Sequence, residues 1–520
     1  MNRKKNLFRT ALVAAVTAGA LALTACAGDA GGAPATPAAD QKLTIGLSAD
    51  VADLKPARDQ GAAAMMLDTL IHRGLLAYDA DGEVVPALAE SFEQTDDVTY
   101  TFTLREGLTF QDGTALTSAN VKSSLEYLAT PESGSKIYSA MSGLASVETP
   151  DDLTVIVTLK SKNVAFPEYL ADTTAAILPD EAFAAEGTSW VGAGPFTLES
   201  TDKGISFTLV KNEDFYDAEN VSLTDIEIAI YADGAARSNA LIAGDVDLID
   251  FVPWEDFDRV ESTPGLVIDA TSGPFMYVHF NVTDGPFADE RVRQAVALAV
   301  NRENVASAAF SGQAAVIAGA PIPESSPFYN KELANGWDTD IEAAKDLLTE
   351  AGYPDGFDTN LLTSSQYAFH QDTALSVQAD LAEIGIVATL DAPDWATRQE
   401  KALAGEYDLA IAGSAGVVND PSFLANFVSG PAANNRSFGF DDPELDTLLA
   451  DGLTAADDTE RKAVYDQVQE RILETVPFAS LVGRSQAFGY NEKVVGFSNI
   501  PGFLTFLSGY TLADTTISGQ

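Results

Sequence analysis

Cys26 is the only cysteine among 520 residues, so no disulfide can close within the chain and whatever folds must be held by its apolar core. Its position matters as much. Asn2-Arg3-Lys4-Lys5 starts the chain with positive charge, Leu12 to Leu23 is an apolar run of Ala, Val and Leu, and Thr24-Ala25 leads into the cysteine. Basic, apolar, then small is the order of an export signal, and the apolar run is too short to span a bilayer.

Leu23-Thr24-Ala25-Cys26 resembles a bacterial lipobox. The resemblance implies that residues 1–25 are a lipoprotein signal and that Cys26, its thiol in a thioether to diacylglycerol, is the first mature residue. The alternative is an ordinary signal peptide beside a chance cysteine. Residues 26–41 hold Gly, Ala and Pro but no large apolar side chain, which makes them a flexible tether. The folded part is expected to start at Lys42 and to work outside the cytoplasm, anchored by lipid to the outer face of the bacterial cell membrane.

About 480 residues beyond the tether suffice for two or three domain-sized units. A hydrophobic content of 46% with 21% charged residues is that of a globular protein. Thirty basic against 77 acidic residues give a net charge of −47. A field of that sign repels phosphate backbones and anionic headgroups, which excludes nucleic acid as a partner. It could concentrate cationic solutes, but a solvated acidic surface explains it as well.

Val98, Tyr100, Phe102 and Leu104 alternate with threonines, a strand with one buried face. Val155, Val157 and Leu159 repeat the pattern, as do Ile226, Ile228 and Ile230. Ile341, Ala344, Leu347, Leu348 and Ala351 share a helical face that Gly352 and Pro354 terminate. Val464, Val468 and Ile472 mark a helix ending before Pro477, and a third helix over Leu375–Ile384 leads through Gly385 into a strand at 386–390. Strands and helices thus alternate as mixed α/β in more than one lobe.

Val85 to Phe92 followed by Thr99 to Gly113, then Val191-Gly192-Ala193-Gly194-Pro195-Phe196, Phe280-Asn281, Pro286 to Ala295, Asn301-Arg302, Ala351 to Phe357, Tyr407-Asp408-Leu409 and Asp420-Pro421 occur in this order. Together they resemble the family 5 extracellular solute-binding proteins, the peptide- and nickel-binding group that feeds ABC importers. The resemblance implies an α/β, two-lobed periplasmic-binding-protein-like fold whose lobes are joined by two hinge crossovers. Lobe I would be 42–272 plus 485–520, with the family's extra subdomain at 76–184, and lobe II 276–484. Ser272-Gly273-Pro274 punctuates the chain where the break is expected. The implied role is a monomeric receptor that closes on a small-molecule or peptide ligand and presents it to an ABC permease. A signalling receptor on the same fold, or a binder of an opine, metal chelate or sugar, is the alternative.

Neither a metal nor another cofactor is expected: His72, His279 and His370 lack ligand spacing. Ala412-Gly413-Ser414-Ala415-Gly416 approaches a nucleophile elbow, but Pro421 follows too soon for the helix an elbow needs, and no histidine lies downstream of Ser414. A hydrolase is therefore the remote alternative, and no enzyme activity is expected.

In the peptide-binding members an aspartate three positions before the Asp-Pro pair holds the ligand ammonium, with a tryptophan upstream. The corresponding positions here are Val417 and Ser414, and the loop Ser364-Ser365-Gln366-Tyr367 lacks the arginine that clamps a peptide carboxylate. The resemblance places Asp59, Gln60 and Gly61 where the first lobe approaches the ligand, with Asp59 the candidate partner for an amine. Gln366, Tyr367, Trp395 and Asn419 complete the expected ligand set, with Trp395 equally readable as a core anchor. Trp190 and Trp254 are read as structural.

A buried ammonium without a counter-ion costs several kcal/mol, so di- and tripeptides with free termini are expected to bind weakly; sub-micromolar affinity for an unmodified dipeptide in calorimetry contradicts this. Asp59→Asn is expected to weaken a cationic ligand by about 1 kcal/mol or more, and an unchanged dissociation constant removes Asp59 from the site.

Overall fold

Two long strands, Leu266–Phe280 and Phe478–Asn491, run antiparallel through the middle of the molecule and belong to everything on either side of them. The computed structural model describes residues 40–58, 60–184, 188–324, 326–430 and 433–519; the leader, Cys26, all but the end of the tether, and Asp59 lie outside the described residues. An eleven-stranded sheet is built around the two long strands. From one edge it runs 386–391, 357–362, 409–414, 266–280, 478–491, 248–249, 42–47, 225–230, 206–211 and 196–202, with 314–316 added alongside 478–491.

One side of the sheet is a βαβαβ run. Strands 357–362, 386–391 and 409–414 pair in parallel and are linked by helices 368–383 and 395–404. The other side sets 42–47 parallel to 225–230 and 248–249, with 206–211 antiparallel beyond them. Alternation in the sequence becomes burial here: Tyr100, Phe102 and Leu104 face the core from strand Thr99–Leu104, as do Val155, Val157 and Leu159 from Thr154–Leu159. These two strands belong to a separate four-stranded antiparallel sheet, in the order 89–96, 99–104, 154–159, 144–148.

Two expectations change. Ser272-Gly273-Pro274 does not interrupt the chain; the strand passes through it. Ser272 pairs with Ser485 and Phe275 with Gly483, so the register slips and Gly273-Pro274 lies opposite Arg484. Proline lacks a donor and is tolerated at such a bulge. Glycine is needed because a Cβ on Gly273 would come within 2.0 Å of the Gly502 carbonyl oxygen. The helix expected from Leu375 starts earlier, at Ala368, because Phe369 and His370 pack into an aromatic cluster that fixes the first turn.

The sequence signatures serve the framework. A Cβ on Gly194 would meet the Leu70 carbonyl oxygen at 2.5 Å, so the Gly192–Phe196 turn can lie against the end of helix Ala62–Ile71. Gln111 Nε2 donates to the Ile71 and Phe196 carbonyls at 3.0 and 2.7 Å. Arg293 caps the Thr475, Val476 and Phe287 carbonyls, and Arg302 those of Ile317, Ser480 and Trp337. Asp420 caps the turn Pro421–Leu424 and forms a buried two-bond pair with Arg461 at 2.6 and 2.8 Å.

Residues 76–184 also touch the βαβαβ side. Tyr169 Oη and Ser422 Oγ are 3.0 Å apart, and Lys162 Nζ donates to the Ala455 carbonyl at 2.8 Å. Beside them, burial and then the Asp420 charge raise the Glu168 carboxyl to about 7; Tyr78, which donates to it, and Arg461 oppose the rise, while Glu83 adds to it. Folded protein therefore holds this proton where unfolded chain, with its ordinary value of 4.5, releases it. The stabilisation is complete below the unfolded value and disappears as pH rises through about 7. Glu168→Gln is expected to flatten this loss of stability, read as urea midpoints between about pH 5 and about pH 8; an unchanged slope contradicts it.

Candidate functional site

Where the long strands slip register, a cavity of about 480 Å³ opens, lined from both sides of the sheet. One wall comes from Gly61, Ala62 and Met65, from Phe251 and Trp254, and from Phe506. Helix Ala62–Ile71 begins at this wall with no side-chain cap and no acid in its first turn. Phe251 has φ 45°, a left-handed conformation that costs a non-glycine residue roughly 1–2 kcal/mol. Arg237 holds it there, donating to the carbonyls of Tyr231, Asp250 and Phe251 at 2.7, 3.0 and 2.6 Å. Burial raises the carboxyl of neighbouring Asp250 to about 6, with Arg237 and the Ser48 hydroxyl opposing it.

Tyr367, Phe369, Ala415 and Arg484 form the facing wall. Trp254 ties the walls together: its indole N–H donates to the Ser485 carbonyl at 2.7 Å, and its ring meets Phe310 and Phe369 edge-on at 4.9 and 5.8 Å. Behind the facing wall, Trp395 packs edge-on against Tyr367 at 5.2 Å and against His370 at 5.3 Å. Burial, then the charges of Arg484 and Arg398, lower the His370 imidazole to about 3, so this ring is neutral. His279 is likewise lowered to about 3 by burial, beside Arg398 and 3.0 Å from the Tyr407 hydroxyl. Among the described residues no group of three His, Cys, Asp or Glu side chains could hold a metal ion.

Of the residues singled out from the sequence, Gly61 and Tyr367 line this cavity; Tyr367 is 38% exposed, high for an aromatic with three ring neighbours. Trp395 stands behind them as a packing partner, and Gln366 Oε1 accepts from the Trp395 backbone N–H at 3.4 Å. Gln60 folds back on its own loop, accepting from Lys55 N–H and donating to the Asp53 carbonyl. Ser414 and Val417 line an adjoining cavity of about 570 Å³, which shares Ala415 with the first and reaches Lys136 and Ser139. The Ser414 hydroxyl accepts from Gly416 N–H at 3.0 Å. Asn419 uses its carboxamide elsewhere: Nδ2 donates to the Pro501 carbonyl at 3.0 Å and Oδ1 accepts from Phe503 N–H at 2.8 Å. Asp59 lies outside the described residues.

Sequence reasoning missed Phe251, Phe369, Phe506 and Arg484, and gave Trp254 only a structural part. One signal was available for Arg484: it is the only charged residue in the strand Phe478–Asn491, and a lone charge in a buried strand calls for an explanation.

A cavity bounded by both sides of a mixed α/β sheet, at the strands that join them, is a place where a small solute can be enclosed. Comparison with known proteins agrees. The description of the bacterial extracellular solute-binding proteins, family 5, fits residues 83–435, and the chain belongs to that family. The glutathione-binding protein GsiB of Pectobacterium atrosepticum is 28% identical over 485 residues, spanning 90% of this chain and 93% of that protein. Among solved structures, the PBP AgaA from A. tumefaciens R10, in complex with agropinic acid, is 38% identical with a TM-score of 0.83, covering 92% of this chain and 99% of that one. DppA from Helicobacter pylori, in complex with the peptide STSA, shares the fold at 24% identity, a TM-score of 0.78, and 92% and 98% coverage.

Arg237→Ala leaves three carbonyls without their donor and Asp250 without its cation. The expected loss is about 3 kcal/mol in urea unfolding, accompanied by relaxation of Phe251; a loss below about 1 kcal/mol contradicts the clamp.

Proposed function

We propose that this protein is the lipid-anchored, monomeric receptor of an ABC importer, capturing a small organic solute between two lobes and delivering it to the permease without chemical change. Residues 1–25 are the signal, Cys26 carries the lipid, and 26–41 form the tether. Lobe I comprises 42–272 and 485–520, with the subdomain at 76–184, and lobe II comprises 276–484. The observation that carries this reading is the cavity at the crossing strands, because a solute held there touches Phe251 and Trp254 on one side and Tyr367 and Phe369 on the other. Such a solute favours the closed arrangement by as much as it binds the two walls better together than either alone.

The solute is a peptide-like compound or a small organic acid of the opine kind. GsiB is named for binding glutathione and AgaA was solved with agropinic acid, and the second is the more similar in sequence. Replacement of the ammonium-binding aspartate by Val417 also favours a ligand other than a free-amine peptide. Two features argue against a hydrolase: the Ser414 hydroxyl accepts from the Gly416 N–H, and His370 Nδ1 is buried without a hydrogen bond, so no carboxylate among the described residues orients that ring as a triad requires.

Mass spectrometry of protein purified from its producing cell is expected to find one organic solute at near-stoichiometric occupancy. Cys26→Ser is expected to move the protein from the membrane fraction to the soluble fraction. A solute-free protein that also fails to bind any member of a broad metabolite panel contradicts the receptor reading; a variant that stays with the membrane contradicts the anchor.

A further inference from the structure

Arg484, half-buried on the cavity wall, differs from the buried arginines. Arg237, Arg293 and Arg302 each donate to several backbone carbonyls, Arg398 to the Ile411 carbonyl and the Gln399 side chain, and Arg461 to Asp420. Among the described residues Arg484 has no such hydrogen-bond partner. Its Nε is buried without a hydrogen bond, and among the described residues no carboxylate forms an ion pair with it. The guanidinium carbon lies 5.2 Å above the Phe369 ring, on the wall of the cavity. Of the described residues lining that cavity, Arg484 alone carries a charge.

The backbone directs the side chain to this place. Gly483 pairs with Phe275 and Ser485 with Ser272, so Arg484 occupies the bulge opposite Gly273-Pro274, while Ala314 pairs with it on its other side. A bulge re-aims the side chain it carries, and bulges occur beside binding sites. Burial lowers the guanidinium to about 10, so it stays charged at neutral pH. A charge kept away from water without a counter-ion is costly, and folds retain one where a bound group supplies the opposite charge.

We propose that Arg484 is the anion subsite of the cavity and that the solute carries a carboxylate, gripped by the paired N–H groups of the guanidinium. The rest of the solute is apolar or ring-shaped and fits between Phe251, Trp254, Phe369 and Phe506. A carboxylate matches the planar fork of arginine, and charge-assisted bonds of this kind strengthen away from water. The proposal rests on the receptor reading and narrows it to organic acids. It also assigns the carboxylate to a different element from the loop 364–367, where the sequence has no arginine.

The test uses mature protein stripped of solute by unfolding and refolding. Calorimetry compares acids with their uncharged amides: the peptide Ser-Thr-Ser-Ala and its C-terminal amide, and phenylacetate and phenylacetamide. At least one acid is expected to bind about tenfold or more tightly than its amide. Arg484→Gln is expected to reduce that acid to the level of its amide, and Arg484→Lys to keep part of the preference. Because no hydrogen bond or ion pair from the described residues holds the guanidinium, Arg484→Gln should melt no earlier than the parent when both are free of solute. Four results overturn the proposal: no acid preference in the parent, including no binding by either member of each pair; a preference that survives Arg484→Gln; loss of the preference in Arg484→Lys as complete as in Arg484→Gln; or earlier melting of Arg484→Gln, which makes the contact with Phe369 structural. The receptor reading has a separate readout, since a protein that carries a neutral or cationic solute through purification keeps that reading while refuting this one.

Discussion

The pairing of strand 266–280 with strand 478–491 is the interaction on which the rest depends. Its two ends belong to different neighbourhoods: residues 275–280 pair with 409–414, whereas Tyr490 and Gly489 pair with Leu248 and Ile249. Between these ends the ladder slips at Gly273-Pro274, which leaves this stretch short of the regular hydrogen bonds that stiffen a strand. The slip sits beside the cavity and beside the loop 501–503, whose Gly502 carbonyl packs on Gly273 and whose flanking backbone is held by Asn419. One irregularity thus interrupts the ladder and sets Arg484 on the cavity wall.

Charge is distributed with the same economy. A chain of net charge −47 keeps its acids mostly at the surface, and buries cations chiefly where carbonyls or a carboxylate receive them. Arg237 uses such bonds to hold Phe251 in a conformation that phenylalanine avoids. Strain at the wall is offset by hydrogen bonds behind it, a common arrangement at binding sites.

Most of the framework was legible in the sequence. Alternation along 98–104, 155–159 and 226–230 gave strands, and the signatures around Gln111, Gly192 to Phe196, Arg293, Arg302 and Asp420 gave the family, because these residues meet local demands: close approach, carbonyl capping, a buried ion pair. The site was only partly legible. Gly61 and Tyr367 were found through the resemblance, yet Phe251, Phe506 and Arg484 come from separate segments, and nothing in their local pattern tells a cavity wall from a core. Asn419 shows the converse: a polar residue beside a signature motif looks like a ligand contact, while its carboxamide is occupied by the loop 501–503. Ser272-Gly273-Pro274 looked like a boundary because glycine and proline usually end a strand; here cross-strand pairing carries the strand past them.

The central claim is that the two sides of this sheet rotate about the slipped strands and shut on a solute. Small-angle X-ray scattering of the stripped protein, before and after adding back the solute recovered from it, tests that claim most directly. The account predicts a smaller radius of gyration with solute present, reversed when the solute is removed. Identical profiles in both states, with binding confirmed in the same samples, would contradict it.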